Sequence, residues 1–184
     1  MIPEIIAALD SLQKGKTILY PTDTVWGIGC DVTNYKSVDK IYKIKKRVTS
    51  KSLIVLVSSL YMLKKYVSVP KKAIELLKNS EKPTTIIYNN PKGFANNTIA
   101  EDNTIAIRIV QDEFCRKLIK RFGKPIVSTS ANISENPTPK SFSEIDNAIL
   151  DRVDYIVNLH QNKVNSKSST ILKIDGNDIQ VLRP

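Results

Sequence analysis

Residues 125–132 read PIVSTSAN, and the hydroxyls of Ser128 and Ser130 stand two residues apart, with Asn132 two further on. On an extended chain, residues two apart share a face. Ser128, Ser130 and, if the chain stays extended, Asn132 then point the same way. The same rule applied to TIAIRIV (104–110) puts Thr104, Ala106 and Arg108 on one face and three isoleucines on the other. In YPTDT (20–24) it pairs Thr22 with Thr24, and near residue 170 the pair Ser169-Thr170 precedes the apolar run ILKI. Small hydroxyls, an amide and a single guanidinium suit phosphates and carboxylates. A merely wetted face would more typically carry Lys and Glu, and it remains the plain reading of any one strand taken alone. Arg108 has the planar fork that grips a carboxylate through two parallel hydrogen bonds, which lysine lacks. A second cationic group stands in KIKKRVTSK (43–51), with Lys43, Lys45, Lys46, Arg47 and Lys51 just before the apolar run LIVLV. Lys45 and Arg47 are placed to clamp a phosphate chain, while Lys43 and Lys46 read as solvated.

These residues need elements to hold them. Ile2, Ile5, Ile6, Leu9 and Leu12 recur at helical spacing, with Gly15 as a stop. TILY (17–20), LIVLV (53–57), TTIIY (84–88), TIAIRIV and PIVSTS read as strands. Helices are expected over about 36–47, on both sides of Pro70 with Ile74 and Leu77 inward, and around Leu118, Ile119 and Phe122 up to Gly123. Residues 89–103 read as a loop. Ser141 or Ser143 with Glu144 is set to cap a helix to about 151, and DYIVN, STILKID and IQVL close the series as strands. Strands alternating with helices predict an α/β fold, a twisted mixed sheet covered by helices. No repeat or linker divides the chain, so one domain over 1–184 is expected. Trp26 reads as core or pocket wall, and Gly27 and Gly29 as a close backbone turn.

The 184 residues carry 28 Lys+Arg against 18 Asp+Glu, a net charge of +10. That excess favours anionic partners, whether nucleotide, nucleic acid or membrane surface. Two isolated cysteines and one histidine argue against a zinc site, and neither G-x-x-x-x-G-K-[ST] nor G-x-G-x-x-G occurs. The amino-terminal segment lacks a basic signal-peptide region and no apolar stretch reaches membrane-spanning length, so a cytoplasmic protein is expected. His160 receives no role, and no general base stands among these motifs.

In order, YPTDTVWGIGCD, KIKKRVTSKSLIVLV, TIAIRIV, PIVSTSANIS and STILKID with a final VLRP resemble the YrdC-like threonylcarbamoyl-AMP synthases over about residues 17–184. The resemblance implies a single-domain YrdC-like fold with an open basic concave face. The implied reaction joins L-threonine and bicarbonate or CO2 as an N-carboxylated threonine, which attacks the α-phosphate of ATP. Pyrophosphate leaves, and transferase proteins pass the threonylcarbamoyl group on to tRNA. ATP is then a substrate, with Mg2+ beside it, and tRNA itself is admitted as a partner. The family's K-x-R falls on Lys45 and Arg47, which the resemblance makes catalytic, and its S-x-N on Ser130 and Asn132. It sets Thr24, Arg108, Ser128 and Ser169 around threonine, and Arg47, Lys51, Thr104, Ser130, Asn132, Thr138 and Arg183 around ATP, with no protein ligand to a metal. Four places depart from the family. Val48 stands where proline is usual, Leu56 where many relatives have histidine, Glu81-Lys82-Pro83 where Pro-Gly-Pro is expected, and Glu135 where glycine follows S-A-N-x-S.

Three rivals use the same residues. A noncatalytic RNA-binding protein would use the basic concavity, but would not need Arg108 and the hydroxyl anchors, and it commonly shows more than 7% aromatic residues. A carbamoyl-transfer module of hydrogenase maturation requires a much longer chain. A relative that kept the fold and lost the activity is opposed by the retained K-x-R and S-x-N.

Overall fold

The computed structural model describes residues 1–48, 53–164, 167–175 and 178–184; Lys51 therefore lies outside the described residues. In chain order, α1 (Ile2–Gln13) leads through Gly15, at φ +69°, into β1 (Ile18–Tyr20) and β2 (Gly27–Gly29). Then come α2 (Tyr35–Lys45), β3 (Ile54–Val57), α3 (Leu60–Tyr66), α4 (Lys71–Asn79), β4 (Thr84–Asn89) and β5 (Thr104–Ile109). The chain continues with α5 (Glu113–Phe122), β6 (Ile126–Ser130), α6 (Asn147–Leu150), β7 (Tyr155–Ile156), β8 (Thr170–Asp175) and β9 (Asp178–Arg183). The strands form a mixed sheet in the order β7-β1-β2-β6-β3-β5-β4-β8-β9. The pairs β1/β7, β3/β5 and β4/β8 are parallel, and the rest are antiparallel.

The alternation read from the sequence holds. Arg108 is in register with Leu56 on β3 and Thr85 on β4, and Ile54 with Ser128 on β6. One sheet face therefore carries Ser128, Ser130, Ile54, Leu56, Arg108 and Thr85. The other carries Val55, Val57, Ile105, Ile107, Ile86 and Val127, all buried in the hydrophobic core beside α1, α3 and α5 residues such as Leu12, Leu63 and Leu118. Apolar strand faces of this kind supply the main driving force for the fold. Within α4 the inward residues are Ala73, Leu76 and Leu77, whereas Ile74, expected inward, is only half-buried and not packed on the core.

Three local expectations are corrected. Gly27 and Gly29 form a strand, not a turn. Their lack of side chains serves close packing, because a Cβ on Gly29 would stand 2.5 Å from the Val127 carbonyl oxygen and 2.7 Å from the Tyr20 ring. The Tyr20 hydroxyl also donates to that carbonyl, at 3.0 Å. Gly29→Ala should therefore lower stability by about 2 kcal/mol, read as a fall in thermal midpoint of roughly 4–8 °C. An unchanged midpoint would show that the sheet yields there freely. The helix expected from Ser141 to 151 is also different. Residues 142–144 make a 3-10 turn, Ile145 is extended, and α6 is capped by Asp146, whose Oδ1 accepts from the Ala148 amide at 2.8 Å. The Glu144 carboxylate is engaged elsewhere, by the Lys140 amide at 2.9 Å. Finally, α2 stops at Lys45, because Lys46 takes the left-handed cap conformation at φ 49°. Arg47 is thereby carried off the helix. Among the described residues, no helix is long and apolar enough to cross a membrane.

Candidate active site

The polar sheet face and the loops beside it enclose a cavity of about 200 Å3. Each wall comes from a different element. Thr24 and Trp26 come from the β1–β2 connection, Ser128 and Ser130 from β6, and Arg108 from β5. Ser169 precedes β8, Arg183 ends β9, and Arg47 and Thr138 lie on the loops after α2 and β6. These sequence-predicted residues, spread over the chain, meet around one space. Trp26 is both wall and core, with its ring 5.0 Å from that of Phe142.

Arg108 is 3% exposed, and its surroundings fix its direction. Nη1 donates to Thr24 Oγ1 at 3.1 Å, and Nη2 stands 3.1 Å from Asp23 Oδ1. The other Asp23 oxygen accepts from the Gln111 amide at 2.9 Å. Thr24 is itself held, since its Oγ1 lies 2.9 Å from that of Thr22, whose hydroxyl donates to the Val25 carbonyl. Arg108 Nε is buried and has no hydrogen-bond partner. A buried donor left unpaired costs free energy that an arriving acceptor recovers. Asp23 was not among the residues singled out from the sequence. Its position inside PTDT, beside two threonines of the same turn, was the available signal.

At the far side, Arg183 donates from Nε to the Ser169 carbonyl at 2.9 Å and from Nη2 to Ser169 Oγ at 3.1 Å. Ser169 Oγ also lies 2.8 Å from Thr85 Oγ1, a residue that the sequence reading passed over. Burial lowers the pKa of Arg183, with a smaller contribution from the charge on Arg108; burial likewise lowers that of Arg47. No aspartate or glutamate is among the described residues lining this space, onto which three guanidiniums face, with Asp23 standing behind Arg108. Such a cavity is built for anions.

Lys45, Asn132 and Thr104 do not line it. The Lys45 side chain is 1% exposed, and its ammonium donates to the Ser130 carbonyl at 2.5 Å, the Asn132 carbonyl at 2.7 Å and Asn132 Oδ1 at 3.3 Å. Burial, then the charge of Arg47, push its pKa down to about 7. β6 ends at Ser130, so the chain does not stay extended to Asn132. The Asn132 side-chain Nδ2 instead donates to the Ile133 and Asn136 carbonyls, and the residue borders a neighbouring cavity of about 260 Å3, which adjoins the first at Thr138. Thr104, at the other end of β5, donates to Asp102 at 2.6 Å. Of the sites where the chain departs from the family pattern, Leu56 is wholly buried in register with Arg108, and Val48 is exposed. Glu135 sits at φ 74°, a conformation that favours glycine.

The family model for Sua5, YciO and YrdC, described as "Telomere recombination", matches residues 10–184. The chain belongs to this family. Among Sua5/YciO/YrdC relatives, a threonylcarbamoyl-AMP synthase of Pseudoalteromonas translucida is 35% identical over 83% of this chain and 84% of its own length. A putative threonylcarbamoyl-AMP synthase of Methanocaldococcus jannaschii is also 35% identical, over 94% of this chain and 81% of its own. The structure of P. abyssi Sua5 complexed with L-threonine matches with a TM-score of 0.85 at 25% identity, covering 98% of this chain. This chain spans about half of that Sua5, 53% of its length. E. coli YciO matches with a TM-score of 0.87 over 89% of its length, and at 24% identity shows the shared fold alone.

Proposed function

We propose that this chain, as one YrdC-like domain in the cytoplasm, condenses L-threonine, bicarbonate or CO2 and ATP into threonylcarbamoyl-AMP and pyrophosphate. The product serves N6-threonylcarbamoyladenosine modification of tRNA through partner transferases. The protein is thus a nucleotidyltransferase, in keeping with its 35%-identical relatives. The observation that carries the reading is the buried Arg108, held by Thr24 and Asp23 with its Nε unpartnered, on the wall of a small cavity that also holds Arg47 and Arg183.

In this reading Arg108 takes the threonine carboxylate, while Thr24, Ser128 and Ser169 fix the amine and hydroxyl. The amine adds to the one-carbon substrate, forming a carbamate with loss of water when bicarbonate is used. A carbamate oxygen then bonds to the α-phosphorus as the bond to the pyrophosphate oxygen breaks. Arg47 and Arg183 neutralise charge on the phosphates, with Mg2+ entering as counter-ion of ATP, and Ser130 and Thr138 hold the nucleotide where the two cavities adjoin. Lys51, outside the described residues, keeps its expected ATP contact, whereas Thr104, turned to Asp102 at the other end of β5, is left out of the set. Lys45 and Asn132 support this set by fixing the backbone that carries Ser130. Catalysis consists of positioning and charge stabilisation, with no side chain required as a general base.

Purified protein should release pyrophosphate from ATP and Mg2+ only when L-threonine and bicarbonate are both present. Release that needs neither threonine nor bicarbonate would overturn the proposal, and no release with any amino acid beside salt-sensitive RNA binding would replace it with the RNA-binding reading.

A further inference from the structure

A second cavity, of about 570 Å3, lies at the opposite face of the sheet, where the end of β4 meets the C-terminus of α3 and the start of α4. Tyr88 is three residues beyond Thr85 on β4, so it leaves the face opposite to Arg108. Ile86, Pro70 and the Tyr88 ring give the cavity apolar walls, while Lys64 and Lys92 stand exposed at its rim. Neither lysine forms an ion pair among the described residues, and no described aspartate or glutamate lines the space. The Tyr88 hydroxyl is buried with no hydrogen-bond partner.

The walls are formed, not improvised. Asn90 is held at φ 51°, with its amide donating to the Asn103 carbonyl at 3.0 Å and its side-chain oxygen accepting from Asn103 Nδ2 at 2.8 Å. The Lys92 amide donates to the Tyr66 carbonyl at 2.9 Å, tying this loop to the end of α3. The volume falls within the range of small-molecule sites. The apolar side chains of the lining suit a ring, the Asn90 side-chain Nδ2 can meet polar groups on its edge, and lysines with no ion pair among the described residues suit a phosphate. We propose that this cavity is a second binding site, for a small organic phosphate carrying a flat ring, of the nucleoside monophosphate type. It is separated from the first cavity by the sheet and does not depend on the chemistry assigned there.

The test is a titration of the full chain with AMP followed by amide NMR. Saturable shifts are expected at Val67, Ser68, Asn90 and Lys92, independent of any shifts around Thr24 and Ser128. Lys92→Glu and Lys64→Glu, both at exposed positions, should each raise the AMP concentration needed at those amides by roughly tenfold. The proposal is overturned if only the Thr24 and Ser128 region responds, or if neither variant changes the titration. It is equally overturned if orthophosphate alone saturates the same amides at the same concentration, because the cavity would then read only the anion.

Discussion

Replacing Arg108 by alanine is expected to raise the KM for threonine by about two orders of magnitude, with the KM for ATP changed much less. The magnitude follows from losing a charge-assisted, two-point contact, worth roughly 2–3 kcal/mol. The selectivity follows from place, since Arg108 is held by the Thr22–Thr24 turn while Arg47 and Arg183 stand on other elements. Lysine should rescue little, because a single ammonium cannot span Thr24, Asp23 and a substrate carboxylate together. Asp23→Asn separates positioning from charge. It keeps an acceptor for the Gln111 amide but weakens the hold on Nη2, so threonine KM should rise by a smaller factor than in Arg108→Ala. Steady-state kinetics with each substrate varied in turn provide the check. Equal losses for threonine and ATP would remove Arg108 from its assigned role.

Lys45→Met is expected to cost both stability and turnover. The ammonium holds two main-chain carbonyls and the Asn132 side chain, and the Lys45 carbonyl in turn accepts from the Ser134 amide at 2.8 Å. Methionine fills the space but leaves these part-buried acceptors without their donor. The expected loss is about 2–3 kcal/mol, a drop of roughly 5–10 °C in thermal midpoint. Turnover should fall with it, because Ser130 is carried on the backbone released. A direct phosphate contact from Lys45 would give another pattern, with weaker ATP binding at an unchanged midpoint. Calorimetry and ATP titration of one variant distinguish the two.

The strands were legible because their apolar residues alternate or run without interruption, and a two-residue period fixes which side chains share a face. For the same reason Arg108, Ser128 and Ser130 fall on polar strand faces, whereas Thr24 reaches the same wall from a turn. What the period could not reveal is where a strand stops. The chain bends after Ser130, and that single bend withdraws Asn132 from the wall. Lys45 misleads in a similar way: its place in a cationic run reads as a phosphate clamp, yet one helical turn from Ile41 it falls on the buried side of α2, with its ammonium on main-chain carbonyls. The Asp23–Arg108 pair depends on a turn reaching a strand 85 positions later, and no local pattern encodes that. Gly27 and Gly29 were visible as special residues, but only their neighbours give the reason, the Tyr20 ring and Val127 carbonyl for Gly29 and the Ser128 hydroxyl for Gly27.

The bonds that define the site join distant parts of the chain. Thr24 and Arg108 are 84 positions apart, Thr85 and Ser169 likewise 84, and Lys45 and Ser130 85. A fragment shorter than that span cannot close even one of them, and closing each carries the loop entropy of a long segment before its contact energy is returned. High contact order of this kind slows folding. Binding competence consequently belongs to the assembled sheet and to no smaller unit, and a partly folded chain, even one with its helices formed, presents none of these contacts to a substrate.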